Sequence, residues 1–217
     1  MKRIALNFWM IVFFLLIMSF QFLPKILHEL LGFVFLVAVF LHILWNRQWL
    51  RTLPQGKWTM LRSTSLLINV LLGLTLAVVL LTGIDISNYL FKDMIPLALQ
   101  RNIMIHQLHV SGPYLLLILM GFHLGLHGQG LWQRVVQTIH WNRNTRAYRI
   151  NCYSFMLLIF LGGTYGSFLN RIGDRLQLKH IFATEATQAS WGLFLLLLLS
   201  VMGMYAVIAY IIRQVMK

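Results

Sequence analysis

The stretch HQLHVSGPYLLLILMGFHLGLH, residues 106–127, holds four histidines in a run otherwise apolar enough to cross a bilayer. A second stretch, HELLGFVFLVAVFLHILWN, residues 28–46, carries two more. His28 and His42 are 14 residues apart, and so are His109 and His123. Four residues beyond the second histidine come Asn46 and His127, so both stretches share the skeleton H-x13-H-x3-[N/H]. On a helix, 14 residues rise about 21 Å and return to within roughly 40° of the starting direction. Each histidine pair therefore points from one helix face at two depths.

Imidazoles paired across a helical bundle are a donor set for iron. Each neutral ring gives one nitrogen to the metal and donates the other N–H, often to a carbonyl. Two such pairs, His28 with His109 and His42 with His123, are a ligand set expected for haem iron held between two imidazoles. Gly32, Gly73, Gly112 and Gly121 are expected to let a flat macrocycle approach the backbone. Pro113 cannot donate to the carbonyl of His109 and leaves that acceptor free. His106 and His127 do not fit the 14-residue ladder. They are second-choice ligands or, as is usual for a lone histidine at a membrane helix end, interfacial polar groups. His140 and His180 fall in loops and are read as surface residues.

These side chains need long apolar helices to hold them. Of the 217 residues, 59% are hydrophobic and 11% charged, with a mean hydropathy of +0.75. A soluble domain of this size needs more charge to cover its surface. Six segments approach the roughly 20 residues that cross a hydrocarbon core: about 5–23, 27–46, 64–84, 104–127, 152–170 and 190–212. The fold class expected is thus all-α, a polytopic membrane protein with six transmembrane helices and a four-helix haem-binding core. The chain reads as a single membrane domain, 1–217, with the core over about 5–130 and two additional helices over about 150–213. Lys2 and Arg3 precede the first segment as in a signal peptide, yet MSFQFLPK lacks a small-x-small cleavage site, so this helix is expected to be retained.

The net charge of +13 sets topology and does not indicate nucleic acid. With a cytoplasmic N-terminus, one set of ends and loops holds Lys2, Arg3, Arg47, Arg51, Lys57, Arg62, Arg134, Arg143, Arg146, Arg149, Arg213 and Lys217, which is 12 of the 18 basic residues. All five acids fall on or near the opposite side. The Lys and Arg excess marks the cytoplasmic face, so both termini are expected there. Arg47, Arg51, Arg62 and Arg134 are candidate partners for inner haem propionates, Lys25 and Arg101 for outer ones; the competing reading of each is topological anchoring or contact with lipid head groups. The single cysteine, Cys152, excludes an internal disulfide, a CxxCH attachment site and an iron–sulfur ligand set.

HELLGFVFLVAVFLHILWNRQWL (28–50) resembles the second-helix signature of the bacterial flavinylation-associated cytochromes. LLTGIDIS (80–87) is similar to their third-helix ending, and the run from His109 through GFHLGLHG (121–128) to their fourth helix. The likeness spans roughly residues 5–130. It implies two b-type haems on His28, His42, His109 and His123. It also implies a bacterial cytoplasmic (inner) membrane location, quinone, and electron transfer to or from an extracytosolic flavoprotein. No covalent flavin attachment sequence is identified in the chain, so a flavin is expected on a partner. Trp45, Trp49, Trp58 and Asn46, followed by Trp132 and Trp141, collect at the inner end as an interfacial belt or a quinone site. GGTYGSF (162–168) offers small residues for close helix packing. The mixed-charge loop 171–189 either docks a redox partner or caps the bundle. The competing functional classes are a histidine-containing transporter and a haem-free structural subunit of a membrane complex.

Overall fold

A computed structural model describes residues 2–130, 133, 137, 145–179 and 183–216. The expectations for Trp132, Arg134, His140, Trp141, Arg143, His180 and Lys217 lie outside the described residues. Among the described residues the chain is all-helical.

Helix α1 (Lys2–Met18) and α2 (Lys25–Trp45) form an antiparallel hairpin. A short helix α3 (Arg47–Thr52) leads to α4 (Met60–Asp85), and a single turn, α5 (Leu97–Gln100), to α6 (Ile103–His127). The C-terminal part holds α7 (Arg146–Leu169), α8 (Ile172–Leu176), α9 (Glu185–Gln188) and α10 (Trp191–Val215). Side-chain caps mark the starts where sequence supplies them. Thr59 accepts from the backbone N–H of Arg62, and Asn102 from those of Met104 and Ile105.

Five helices, α2, α4, α6, α7 and α10, are long and apolar enough to cross a membrane. The first segment differs from the sequence expectation of 5–23. Its helix has 17 residues and stops at Met18. The Ser19 hydroxyl donates to the carbonyl of Leu16 at 2.7 Å, a local bond that competes with helix continuation. A 3-10 turn, Phe20–Phe22, then hands the chain to Pro24, the N-cap of α2. Apolar side chains cover the outside: Phe33, Phe40, Leu81, Leu158 and Phe168 are all exposed, the kind of surface that a bilayer wets.

The buried core runs along α6 and α10, through Leu116, Leu117, Phe194, Leu198 and Val201. Small residues permit this closeness. A Cβ at Gly121 or Gly125 would strike Met202, Tyr205 or Ala206 of α10, and one at Gly163 or Gly166 would strike the α10 backbone from α7. The GGTYGSF segment thus packs as expected. By contrast α2 buries only Phe35 and Ala38, and α4 only Thr82.

The two ends of the bundle are tied differently. The Glu29 carboxylate accepts from the Ser87 hydroxyl and from the N–H groups of Asn88, Tyr89 and Leu90, pinning the loop after α4. At the other end, the Arg62 guanidinium donates to the carbonyls of Thr52, Leu53, Gln55 and Lys57. The start of α1 and the end of α10 share that second end, since Asn7 meets His42 and the Thr64 hydroxyl faces Met216.

Candidate functional site: two facing imidazole pairs

Helices α2 and α6 run parallel, and their ladders meet rung for rung. The rings of His28 and His109 have centroids 6.0 Å apart, crossed at 85°. Those of His42 and His123 lie 6.3 Å apart, crossed at 68°. The structure brings together both pairs that the 14-residue spacings select.

Every one of the four rings is anchored through Nδ1. His28 Nδ1 lies 3.1 Å from the carbonyl of Ile17, at the end of α1. His109 Nδ1 lies 3.0 Å from the carbonyl of Val79 on α4, with the Thr82 hydroxyl at 3.4 Å. At the other level the acceptors are side chains: Asn7 Oδ1 at 3.0 Å from His42 Nδ1, and Asn69 Oδ1 at 2.8 Å from His123 Nδ1. A carbonyl-type oxygen can only accept, so each Nδ1 carries the proton and donates. The Nε2 lone pair is left free, the tautomer that ligates a metal.

His106 and His127 are held the other way. Nε2 of His106 lies 2.9 Å from the carbonyl of Gln100, and Nε2 of His127 lies 2.9 Å from the Ser65 hydroxyl. Both are exposed, whereas the four paired rings are half-buried. His127 stacks beside His123 with centroids 4.7 Å apart, as a neighbour of the pair.

A haem fits this donor set. Two metal–imidazole bonds of about 2 Å, each with a ring centre about 1 Å behind its nitrogen, place the ring centroids roughly 6 Å apart. The two separations match that span. Two of the glycines proposed from sequence have no close neighbour, and Gly73 is exposed. Gly32 lies one turn beyond His28 and Gly73 one turn beyond Asn69, and a Cβ at either would meet no atom within 4 Å. The other two glycines proposed from sequence do different work. A Cβ at Gly112 would meet Val79 at 2.7 Å, and Gly121 faces α10; they serve helix packing. Halfway along the ladders, seven residues from each ring, sit Phe35 and Leu116. Both are buried in the common core, and Phe35 packs against Phe14.

The basic residues also sort. Arg62 is committed to four loop carbonyls and stacks over Trp58 at 4.7 Å, which removes it as a free propionate partner. Arg47, Arg51, Lys25 and Arg101 are exposed at the bundle ends. Of the aromatic cluster, Trp49 lines a cavity of about 230 Å³ with Arg62, Ser65, His127 and Arg213, while the Asn46 carboxamide donates to the His42 carbonyl at 2.8 Å.

Sequence reasoning missed Asn7 and Asn69. Their signal was present: each is an amide in an otherwise apolar segment, where a polar side chain needs a partner. The acceptor carbonyls of Ile17 and Val79 have no such signal. No family model matches the chain, and no curated protein or solved structure is similar to it.

Proposed function

We propose that the chain is a membrane b-type cytochrome that carries electrons across the cytoplasmic membrane through two bis-histidine haems. One observation carries the reading: two facing imidazole pairs at haem-ligand separation, each ring donating Nδ1–H and keeping Nε2 free. Bound haem supplies one-electron chemistry between ferric and ferrous iron. His28 and His109 would hold the first haem, His42 and His123 the second. Ile17, Val79, Asn7 and Asn69 orient the rings. Phe35 and Leu116 fill the interval between the two sites and keep water from it.

The architecture proposed is a four-helix haem core, α1, α2, α4 and α6, with α1 as a sixth membrane crossing and α7 and α10 as additional helices. The basic excess at the His42 end makes that end cytoplasmic, with both termini there. Electrons would pass between quinone or a cytoplasmic-side donor and an extracytosolic flavin-bearing partner, the exchange implied by the resemblance. A transporter pathway is disfavoured because both oxygens of Glu29, the acid nearest the ladder, are occupied by the 86–91 loop.

The test is a dithionite-reduced minus oxidised spectrum of the purified protein, with haem counted by pyridine haemochrome. Two b-type haems per chain are expected. No haem after expression with ample haem would overturn the reading and leave the transporter or a haem-free structural subunit.

A further inference from the structure

On another side of α6 lies a buried cation with no counter-charge. Arg175, in the five-residue helix α8, is only 6% exposed. Its Nε donates to the carbonyl of Asn170 at 3.0 Å, and its Cζ lies 4.3 Å from the centre of the Tyr114 ring. All five acids of the chain are among the described residues, and none pairs with it. Asp174 pairs instead with Arg171 at 2.7 Å and Lys179 at 2.8 Å. Three cations around one carboxylate leave this corner with two positive charges in excess. Burying a guanidinium without an anion is costly, so its retention needs a ligand or a reason.

The surroundings describe the ligand. Arg175 and Lys179 line one side of a cavity of about 310 Å³, and Gln107 and Ser111 supply polar side chains. Ile103 and Val110 supply its apolar lining; they are 72% and 48% exposed, on a helix long and apolar enough to span a membrane. Ile103 is the first residue of α6, so with α6 crossing a membrane the cavity would lie at the end of the span, where head groups meet acyl chains. The backbone fixes the cation there. Arg171 and Leu178, flanking α8, both have left-handed φ, 52° and 55°, conformations that non-glycine residues hold only when their surroundings impose them.

We propose that this cavity binds the head group of an anionic phospholipid, with phosphate oxygens on Arg175 and Lys179 and acyl chains along Ile103 and Val110. Free phosphate shares the charge but would leave the apolar wall uncovered. Basic pockets between membrane helices are suited to such head groups. The site uses none of the four proposed haem ligands: Gln107 and Val110 lie roughly 100–160° around the helix from His109, and His106, which also lines the cavity, roughly 60° from it.

Native mass spectrometry of the full-length protein, delipidated in mild detergent and given equal phosphatidylglycerol and phosphatidylethanolamine, tests it. Wild type should retain phosphatidylglycerol about tenfold better. Arg175→Gln should erase the preference, whereas Lys92→Gln, at an exposed cation outside the cavity, should keep it. Val110→Trp, which fills the apolar side without touching the charge, should weaken retention of phosphatidylglycerol if Arg175→Gln does not fold. Equal retention of the two lipids by wild type would overturn the proposal. So would displacement of phosphatidylglycerol by millimolar inorganic phosphate, which would mark a free-anion site instead.

Discussion

The carboxamide oxygen of Asn69, on α4, lies 2.8 Å from Nδ1 of His123, on α6. Asn7 on α1 does the same for His42 on α2 at 3.0 Å, so each ring of this level is aimed by the partner helix of its own hairpin. Partners behind a metal-bound imidazole fix its tautomer, and their loss costs about 10–100-fold in metal affinity. Asn69→Leu removes the acceptor while keeping the volume. We expect it to lower occupancy of the His42–His123 site and shift its midpoint potential, leaving the other haem unchanged. Asn69→Asp should restore occupancy and lower the potential, because a carboxylate withdraws the Nδ1 proton more strongly. Redox titration with resolved spectra checks both. Equal shifts at the two haems would contradict the assignment.

The orientation of the rings gives the proposed ligand set a direct test. Among the described residues, His28, His42, His109 and His123 leave Nε2 free, whereas His106 and His127 engage it with Gln100 and Ser65. Single changes to Ala at any of the four should therefore reduce haem from two per chain to one. His106→Ala and His127→Ala should retain both, with at most a small spectral change for His127, whose ring touches that of His123. Pyridine haemochrome counts decide. Full loss of one haem in His127→Ala would move the ligand set down the helix.

What the sequence made legible follows from periodicity. The 14-residue repeats in α2 and α6 place four rings on two faces, and apolar length identifies the helices that carry them. Which helix lies beside which is a long-range matter, and spacing alone left the pairing conditional on α2 facing α6. The anchors behind the rings were less legible still: Asn7 and Asn69 stood out as amides in apolar runs, but a carbonyl such as Val79's is identical at every position of a chain. Glycine roles failed for a related reason. Gly32 and Gly121 look alike in sequence; one faces open space and the other the backbone of α10. α1 ends at Met18, where the Ser19 hydroxyl bonds back to Leu16 and Pro24 soon opens the next helix, features that hydropathy does not register.

Gly83 tests the fit of the first pair. A Cβ there would lie 2.7 Å from Cε1 of His109 and 3.2 Å from its Nδ1. Gly83→Ala must push the ring away from the Val79 carbonyl or push α4 from α6. Loss of the His28–His109 haem is expected, with the His42–His123 haem retained. Haem counts and the reduced spectrum read this directly, and two intact haems would show that the ring has another way to reach iron.

Glu29 is expected to act on the loop and not on electrons. Its carboxylate accepts four hydrogen bonds from residues 87–90, and a charged acceptor contributes about 1.5–3 kcal/mol per bond at most. Glu29→Ala should loosen the loop after α4, raising hydrogen exchange at Asn88, Tyr89 and Leu90 by one to two orders of magnitude, on the scale of one such bond. Haem content should persist, because His28 is anchored separately by Ile17. Unchanged exchange would mean that the loop holds its shape without the carboxylate.

Asp174 governs the approach to Arg175. Hydrogen bonds from Lys179 and Arg171 hold its carboxyl below the usual carboxylate range. A carboxyl whose folded value is depressed contributes stability above its ordinary value of about 4, and that contribution is lost as pH falls through the folded value. Acid should therefore release Arg171 and Lys179 and loosen α8, while neutral and alkaline pH leave it alone. A spin label at Gln177→Cys, in a Cys152→Ser background, should gain mobility below pH about 4. Adding Asp174→Asn should give the mobile spectrum already at neutral pH and abolish the acid transition. An acid transition that survives Asp174→Asn would assign the ordering of α8 to another carboxylate, and Glu185 in α9 is the next along the chain.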